Sequence, residues 1–128
     1  LGLPSGQDVA RAMGIKPIAD KDLRVGKATE EDSPENLPIT DFGDSFKGKA
    51  PLWFYILAEA QQQFKKDDTP IRLGPVGGRI VAEVFIGLLL GDSHSFLQQQ
   101  PDWTPNPAFL NKDKKFGIAE LIKQAIKA

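Results

Sequence analysis

The sequence contains no cysteine. That excludes a disulfide framework, a thiolate zinc site, an iron–sulfur cluster and a cysteine nucleophile, and it selects no redox compartment. It contains one histidine, His94, which excludes any site built on two. Excess charge of either sign is also missing. Lys plus Arg number 16 and Asp plus Glu 17, a formal net charge of −1. The chain as a whole therefore offers no electrostatic case for nucleic acid or for an anionic membrane surface. No stretch reaches the roughly 18 apolar residues of a membrane span; the run at residues 84–90 is bounded by Glu83. The first residues, Leu1-Gly2-Leu3-Pro4, have no basic segment leading into an apolar core and do not read as a signal peptide. Opening on Leu rather than Met, the chain is expected to be a processed product or a piece of something longer. What is present is ordinary globular composition: 128 residues, 41% hydrophobic and 26% charged, enough for one domain.

The elements expected are helices. Ser5 has the character of an N-cap, with Asp8 at the acidic position of a capping box and Gly14 as the C-terminal stop of a short helix over about 6–13. Residues 15 to about 50 are punctuated by Pro17, Pro34, Pro38, Gly26, Gly43 and Gly48, and acidic residues outnumber basic ones. One helical turn is expected at 20–24. A loop this long is unusual inside a compact domain, so it is expected to lie on a surface supplied by something else or to be partly mobile. Pro51 opens a helix whose first turns, 52–58, are apolar on every face, which predicts burial on every face. A second helix over about 75–90 again starts at a proline and ends at Gly91. The glycines Gly74, Gly77, Gly78 and Gly87 predict a partner helix or ligand pressed against the backbone, with residues 52–57 and 80–90 forming the core through the Gly77/Gly78 face. Asp92 is expected to cap a short helix at 93–99. The helix over about 117–127 is amphipathic, with Ile118, Leu121, Ile122, Ala125 and Ile126 on one face. Residues 111–128 hold five lysines against Asp113 and Glu120, a net +3. No internal repeat and no strand stands out, and the fold class is all-α.

Four features could carry chemistry. The run Gly74-Pro75-Val76-Gly77-Gly78-Arg79 starts a helix, as a phosphate cradle does. It lacks the Gly-Lys-Ser/Thr ending, no strand leads into it, and Pro75 removes an amide, so close helix packing is the expectation. Arg79 and Glu83 share a helix face. They could hold a guanidinium toward a substrate or cofactor carboxylate; a structural ion pair tying this helix to its neighbour is the plainer expectation. His94 could be an axial haem ligand or a general base, but in the polar turn Gly91-Asp92-Ser93-His94 a solvated side chain is expected. Ser93, Ser95 and Asp92 do not make a triad with it by sequence proximity, since triad partners meet through the fold. Trp53, Phe54 and Tyr55 are consecutive, point in different directions around a helix, and are expected in the core rather than as a stacking platform.

Three stretches carry a resemblance. They are Leu1-Gly2-Leu3-Pro4-Ser5-Gly6-Gln7-Asp8-Val9-Ala10-Arg11-Ala12-Met13-Gly14, then Ala50-Pro51-Leu52-Trp53-Phe54-Tyr55-Ile56-Leu57-Ala58-Glu59-Ala60, and then Leu73-Gly74-Pro75-Val76-Gly77-Gly78-Arg79-Ile80-Val81-Ala82-Glu83-Val84 continuing to Gly91-Asp92. In this order and spacing they resemble the C-terminal part of bacterial members of the animal-type haem peroxidase family. The Trp103-Thr104-Pro105 turn and the Phe116-Gly117-Ile118-Ala119-Glu120-Leu121 helix resemble that family's ending. The resemblance implies that residues 1–128 are one helical unit, with a long loop at about 15–50, at the C-terminal end of a larger, mostly α-helical domain. It implies a parent that holds haem b and uses hydrogen peroxide to oxidise, or oxygenates, a small organic or lipid substrate. The family's distal His and Arg, calcium loop, proximal His and its Asn partner all lie upstream of the matched part. No catalytic, cofactor-binding or metal-binding residue carries over to this chain, and His94 is not at a ligand position. The implied role is that of a scaffold, inactive alone, whose partners are the upstream part of the parent or a second copy. The helix from Gly74 is the one nearest the substrate channel of the oxygenase relatives. The alternative is a non-enzymatic, stand-alone helical module that dimerises through its apolar helices. Neither reading implies a cellular location.

Overall fold

A computed structural model of the chain describes residues 2–26, 36–67 and 72–127, with backbone alone at 64–67 and 127. It is mostly α-helical. The helices are α1 (Gly6–Ala12), α2 (Leu52–Asp67), α3 (Pro75–Gly91), α4 (Phe96–Gln99) and α5 (Ile118–Lys127). Among the described residues there is also a two-residue strand pair, β1 (Arg24–Val25) with β2 (Leu37–Pro38), antiparallel with Arg24 opposite Pro38 and Val25 opposite Leu37, where the sequence showed no strand. Two residues per strand are too few for any alternation of polar and apolar side chains to show. The chain divides into two compact units, residues 1–85 and 86–128.

In the first unit, α1 is closed at both ends by its own sequence. Ser5 is extended (φ −69°, ψ 158°), and its Oγ accepts from the Asp8 amide at 3.2 Å. The Asp8 carboxylate returns the contact by accepting from the Ser5 hydroxyl at 2.8 Å. At the other end Gly14 takes φ +71°. The Ile15 amide then reaches the Ala10 carbonyl at 2.9 Å and the Gly14 amide reaches Arg11 at 3.0 Å, a Schellman closure.

Around α1 and α2 the core gathers Ala10, Leu23, Ile39, Ala50, Tyr55, Ala58 and Val76, flanked by Val9, Met13, Ile15, Ile18, Phe46, Phe54 and Ile80. Leu23, Ile39 and Ala50 belong to the stretch read as a loop needing an outside surface. Its described parts rest instead on the chain's own helices. Short 3₁₀ turns at Asp20–Asp22, Ile39–Phe42 and Asp44–Phe46 give it local structure. The first of these lies where one helical turn is expected. The expectation for residues 27–35 lies outside the described residues.

Burial of the apolar helices departs from the expectation. Tyr55 is fully buried, yet Trp53 is 75% exposed and Leu57 is exposed as well. In α3, Val76 and Gly77 are buried, whereas Val81, Val84, Phe85, Ile86, Leu88 and Leu90 are exposed. Nothing among the described residues covers these faces, so composition predicted more burial than the chain supplies.

Of the expected Gly77/Gly78 face, one glycine makes the contact and the other does not. A Cβ on Gly77 would stand 2.6 Å from Ile56 Cγ2, whereas one on Gly78 would meet nothing nearer than 3.8 Å. Of these two glycines, Gly77 is therefore the one at which α3 approaches α2. Gly77→Ala is expected to cost about 1–3 kcal/mol by overpacking, and Gly78→Ala to be neutral or to gain up to about 1 kcal/mol from helix propensity. Thermal melts of the two variants check this; equal melting temperatures would contradict the assignment.

In the second unit the short helix begins later than expected. Ser95, not Asp92, is the N-cap of α4, its hydroxyl accepting from the Gln98 amide. Asp92 instead accepts from the His94 amide at 2.8 Å. Phe96 and Trp103 meet edge to face with ring centroids 5.9 Å apart.

Candidate functional site

A buried and multiply bonded polar side chain in the first unit is Glu59. It sits between Ala58 and Ala60 on α2 and is 4% exposed. Its carboxylate accepts from the Val76 amide at 3.0 and 3.1 Å and from the Gly77 amide at 3.1 Å. These are first-turn donors of α3, which have no partner within their own helix. Pro75 has no N–H, and Gly78 already donates to the Gly74 carbonyl at 2.7 Å. Every donor of the first turn is thus accounted for, and the carboxylate lies at the positive end of the helix dipole. Gly74 makes room for it: a Cβ there would stand 2.3 Å from Glu59 Cγ. The glycine run that looks like a phosphate cradle is consequently occupied by the chain's own anion.

A second polar cluster ties α1 to the segment before α2. Gln7, 2% exposed, accepts from the Ala50 amide at 2.8 Å through Oε1. Through Nε2 it donates to Asp20 at 3.0 Å. Asp20 in turn accepts from the Gly48 amide at 2.9 and 3.1 Å. The Gly6 amide donates to the Ala50 carbonyl at 2.9 Å, and Ser5 bridges to Pro51. The Tyr55 hydroxyl oxygen accepts from the Ile18 amide at 3.1 Å. Burial pushes the ionisation of this phenol above its ordinary value of 10.0. Each of these groups has its hydrogen-bond partner within the first unit.

The residues singled out for chemistry make local contacts, each within its own unit. Arg79 Nε donates to Glu83 at 2.7 Å, as the spacing predicts, but both side chains are more than half exposed and the pair lies within α3, tying it to no neighbour. Arg79 also borders an open depression of about 410 Å³ with Gln63, Arg72, Leu73, Gly74, Pro75 and Gly78. The His94 side chain is 88% exposed, its Nδ1 3.7 Å from Asp92 Oδ1, in keeping with a solvated histidine. Trp53, expected in the core, is on the surface; Phe54 and Tyr55 pack inward. Among the described residues no group of three His, Asp or Glu could hold a metal ion, and no helix is long and apolar enough to cross a membrane.

No family model matches the chain, and no curated protein or solved structure matches it significantly.

Glu59 was legible only as the acid that ends an apolar run. The available signal was its isolation: one carboxylate among Ala58, Ala60 and large apolar side chains has to find donors or remain outside. Gln7 offered no comparable signal, since a glutamine in the first turn of a short helix is commonplace on a surface.

Proposed function

We propose that the chain is a C-terminal scaffold segment of a haem-dependent peroxidase or oxygenase, inactive on its own. The observation that carries the reading is where the three resembling stretches meet. Ser5 and Gly6 seat on Ala50, Pro51 and Tyr55, and Glu59 holds Gly74, Val76 and Gly77. Residues that carry the resemblance are thus the ones whose contacts join α1, α2 and α3. A second support is the apolar face of α3. Val81, Val84, Phe85 and Leu88 follow helical spacing and continue the face that Gly77 uses against α2. In this reading that face is covered by upstream helices of the parent, which also carries haem b. The same exposed face is what the alternative reading, a dimerising helical module, would use.

Haemin titration tests the scaffold reading on the chain itself. The expected result is no stoichiometric Soret spectrum, because the only histidine is a solvated turn residue. A sharp one-to-one spectrum that disappears in His94→Ala would overturn it.

A further inference from the structure

We propose that α5 and the lysine-rich turn before it form a docking surface for an anionic lipid bilayer, with α5 lying in the plane of the interface. The inference does not rest on the peroxidase reading.

At 100° per residue, Ile118, Leu121, Ile122, Ala125 and Ile126 occupy an arc of about 140°. These large side chains are uncovered: Ile118 is 78% exposed, Ile126 is 80%, and Leu121 and Ile122 are more than half exposed. Ala119, Glu120, Lys123, Gln124 and Lys127 take the remaining positions around the helix. An aliphatic arc bordered by lysine is the pattern of a helix that sinks one face into the headgroup boundary and leaves its charges in water.

The charge is local. The chain as a whole carries −1, but residues 111–128 carry +3. The fold sharpens this imbalance. Glu120, the only acid on α5, is turned back on its own helix start: its carboxylate accepts from the Gly117 amide at 3.1 Å and from Asn111 Nδ2 at 3.5 Å. The Lys123 ammonium lies 3.9 Å from it with its side chain 70% exposed. The preceding turn is fixed. Asn111 Oδ1 accepts from the Asp113 and Lys115 amides, both at 2.9 Å, and Lys114 sits at φ +57°. Lys112, Lys114 and Lys115 are thereby held at the N-terminal end of the apolar arc, all three exposed.

Charge also decides between occupants. A second copy packed on this arc would bring two +3 segments together, whereas an anionic bilayer accepts the aliphatic arc and neutralises the lysines at once. The bilayer is the occupant for which both halves of the surface are complementary.

Co-sedimentation of the 128-residue chain with vesicles tests this, using phosphatidylcholine alone and phosphatidylcholine mixed with phosphatidylserine. Binding is expected on the mixed vesicles, at least about tenfold tighter than on the neutral ones, and weakened by high salt. Leu121→Asp with Ile122→Asp should abolish it. Because those changes could disturb α5, the exposed triple variant Lys114→Glu, Lys115→Glu, Lys123→Glu provides an independent arm and should lose at least about tenfold, with helicity unchanged by circular dichroism. Equal binding to both vesicle types, binding to neither, or full binding by the charge-reversed variant would overturn the proposal. So would a dimer in lipid-free solution that Leu121→Asp dissociates, since the occupant would then be a second copy.

Discussion

Gly6→Leu is expected to destabilise the first unit by about 3 kcal/mol or more, beyond the usual overpacking range. A Cβ at position 6 would stand 2.1 Å from both Cβ and Cγ of Tyr55. Those atoms are not the far end of a flexible side chain. Tyr55 is fully buried, and its hydroxyl is held by the Ile18 amide, so relief requires α1 to move off α2. That motion would also stretch the 2.9 Å bond from the Gly6 amide to the Ala50 carbonyl and the Gln7 bonds beside it. The control is Gly87→Ala on α3, where no atom lies within 4 Å of an added Cβ. That change removes an exposed helical glycine and should gain about 0.5–1 kcal/mol. Denaturant unfolding of both variants gives opposite signs if the α1–α2 contact is as described. A Gly6→Leu protein as stable as wild type would contradict it.

Glu59→Ala is expected to cost about 3–4 kcal/mol. The substitution leaves the buried Val76 and Gly77 amides without acceptors, each worth roughly 1–3 kcal/mol when stranded, and it withdraws a negative charge from the start of α3. Glu59→Gln keeps one acceptor oxygen but turns an NH₂ toward the same donors, and an intermediate loss of about 1–2 kcal/mol is expected. Unfolding midpoints should therefore fall in the order wild type, Gln, Ala. Amide exchange at Val76 and Gly77 should accelerate in both variants before the rest of the first unit is affected. An alanine variant within about 0.5 kcal/mol of wild type, the range of an ordinary surface change, would mean that the amides have another acceptor.

How much of this was legible in the sequence depends on whether a contact is local. The Ser5 cap, the Gly14 closure and the Arg79–Glu83 pair involve residues three to five apart, and their spacing alone carries the geometry. The contact of Glu59 with Val76 requires α3 to arrive from seventeen residues away, and the bond of Gln7 with Ala50 spans forty-three. No periodicity encodes such meetings. The glycines lie between these cases. That a backbone must be approached at 74–78 was legible, but Gly74 answers to a carboxylate and Gly77 to Ile56, while Gly78 answers to neither. The overestimate of burial has a different origin. Hydrophobicity states what a side chain would gain by leaving water, and Trp53, Phe85 and Leu88 have no cover among the described residues. Of the residues considered for chemistry, the exposed His94 was anticipated, and Glu59, which carries the α2–α3 contact, was not among them.

The most direct test of the scaffold reading is the visible absorption spectrum of the purified source polypeptide that contains this chain, with its intact mass taken on the same sample. The reading predicts a mass well above 14.0 kDa together with a Soret band. A source polypeptide of this chain's own mass, without a Soret band, would contradict it and leave a stand-alone helical module in its place.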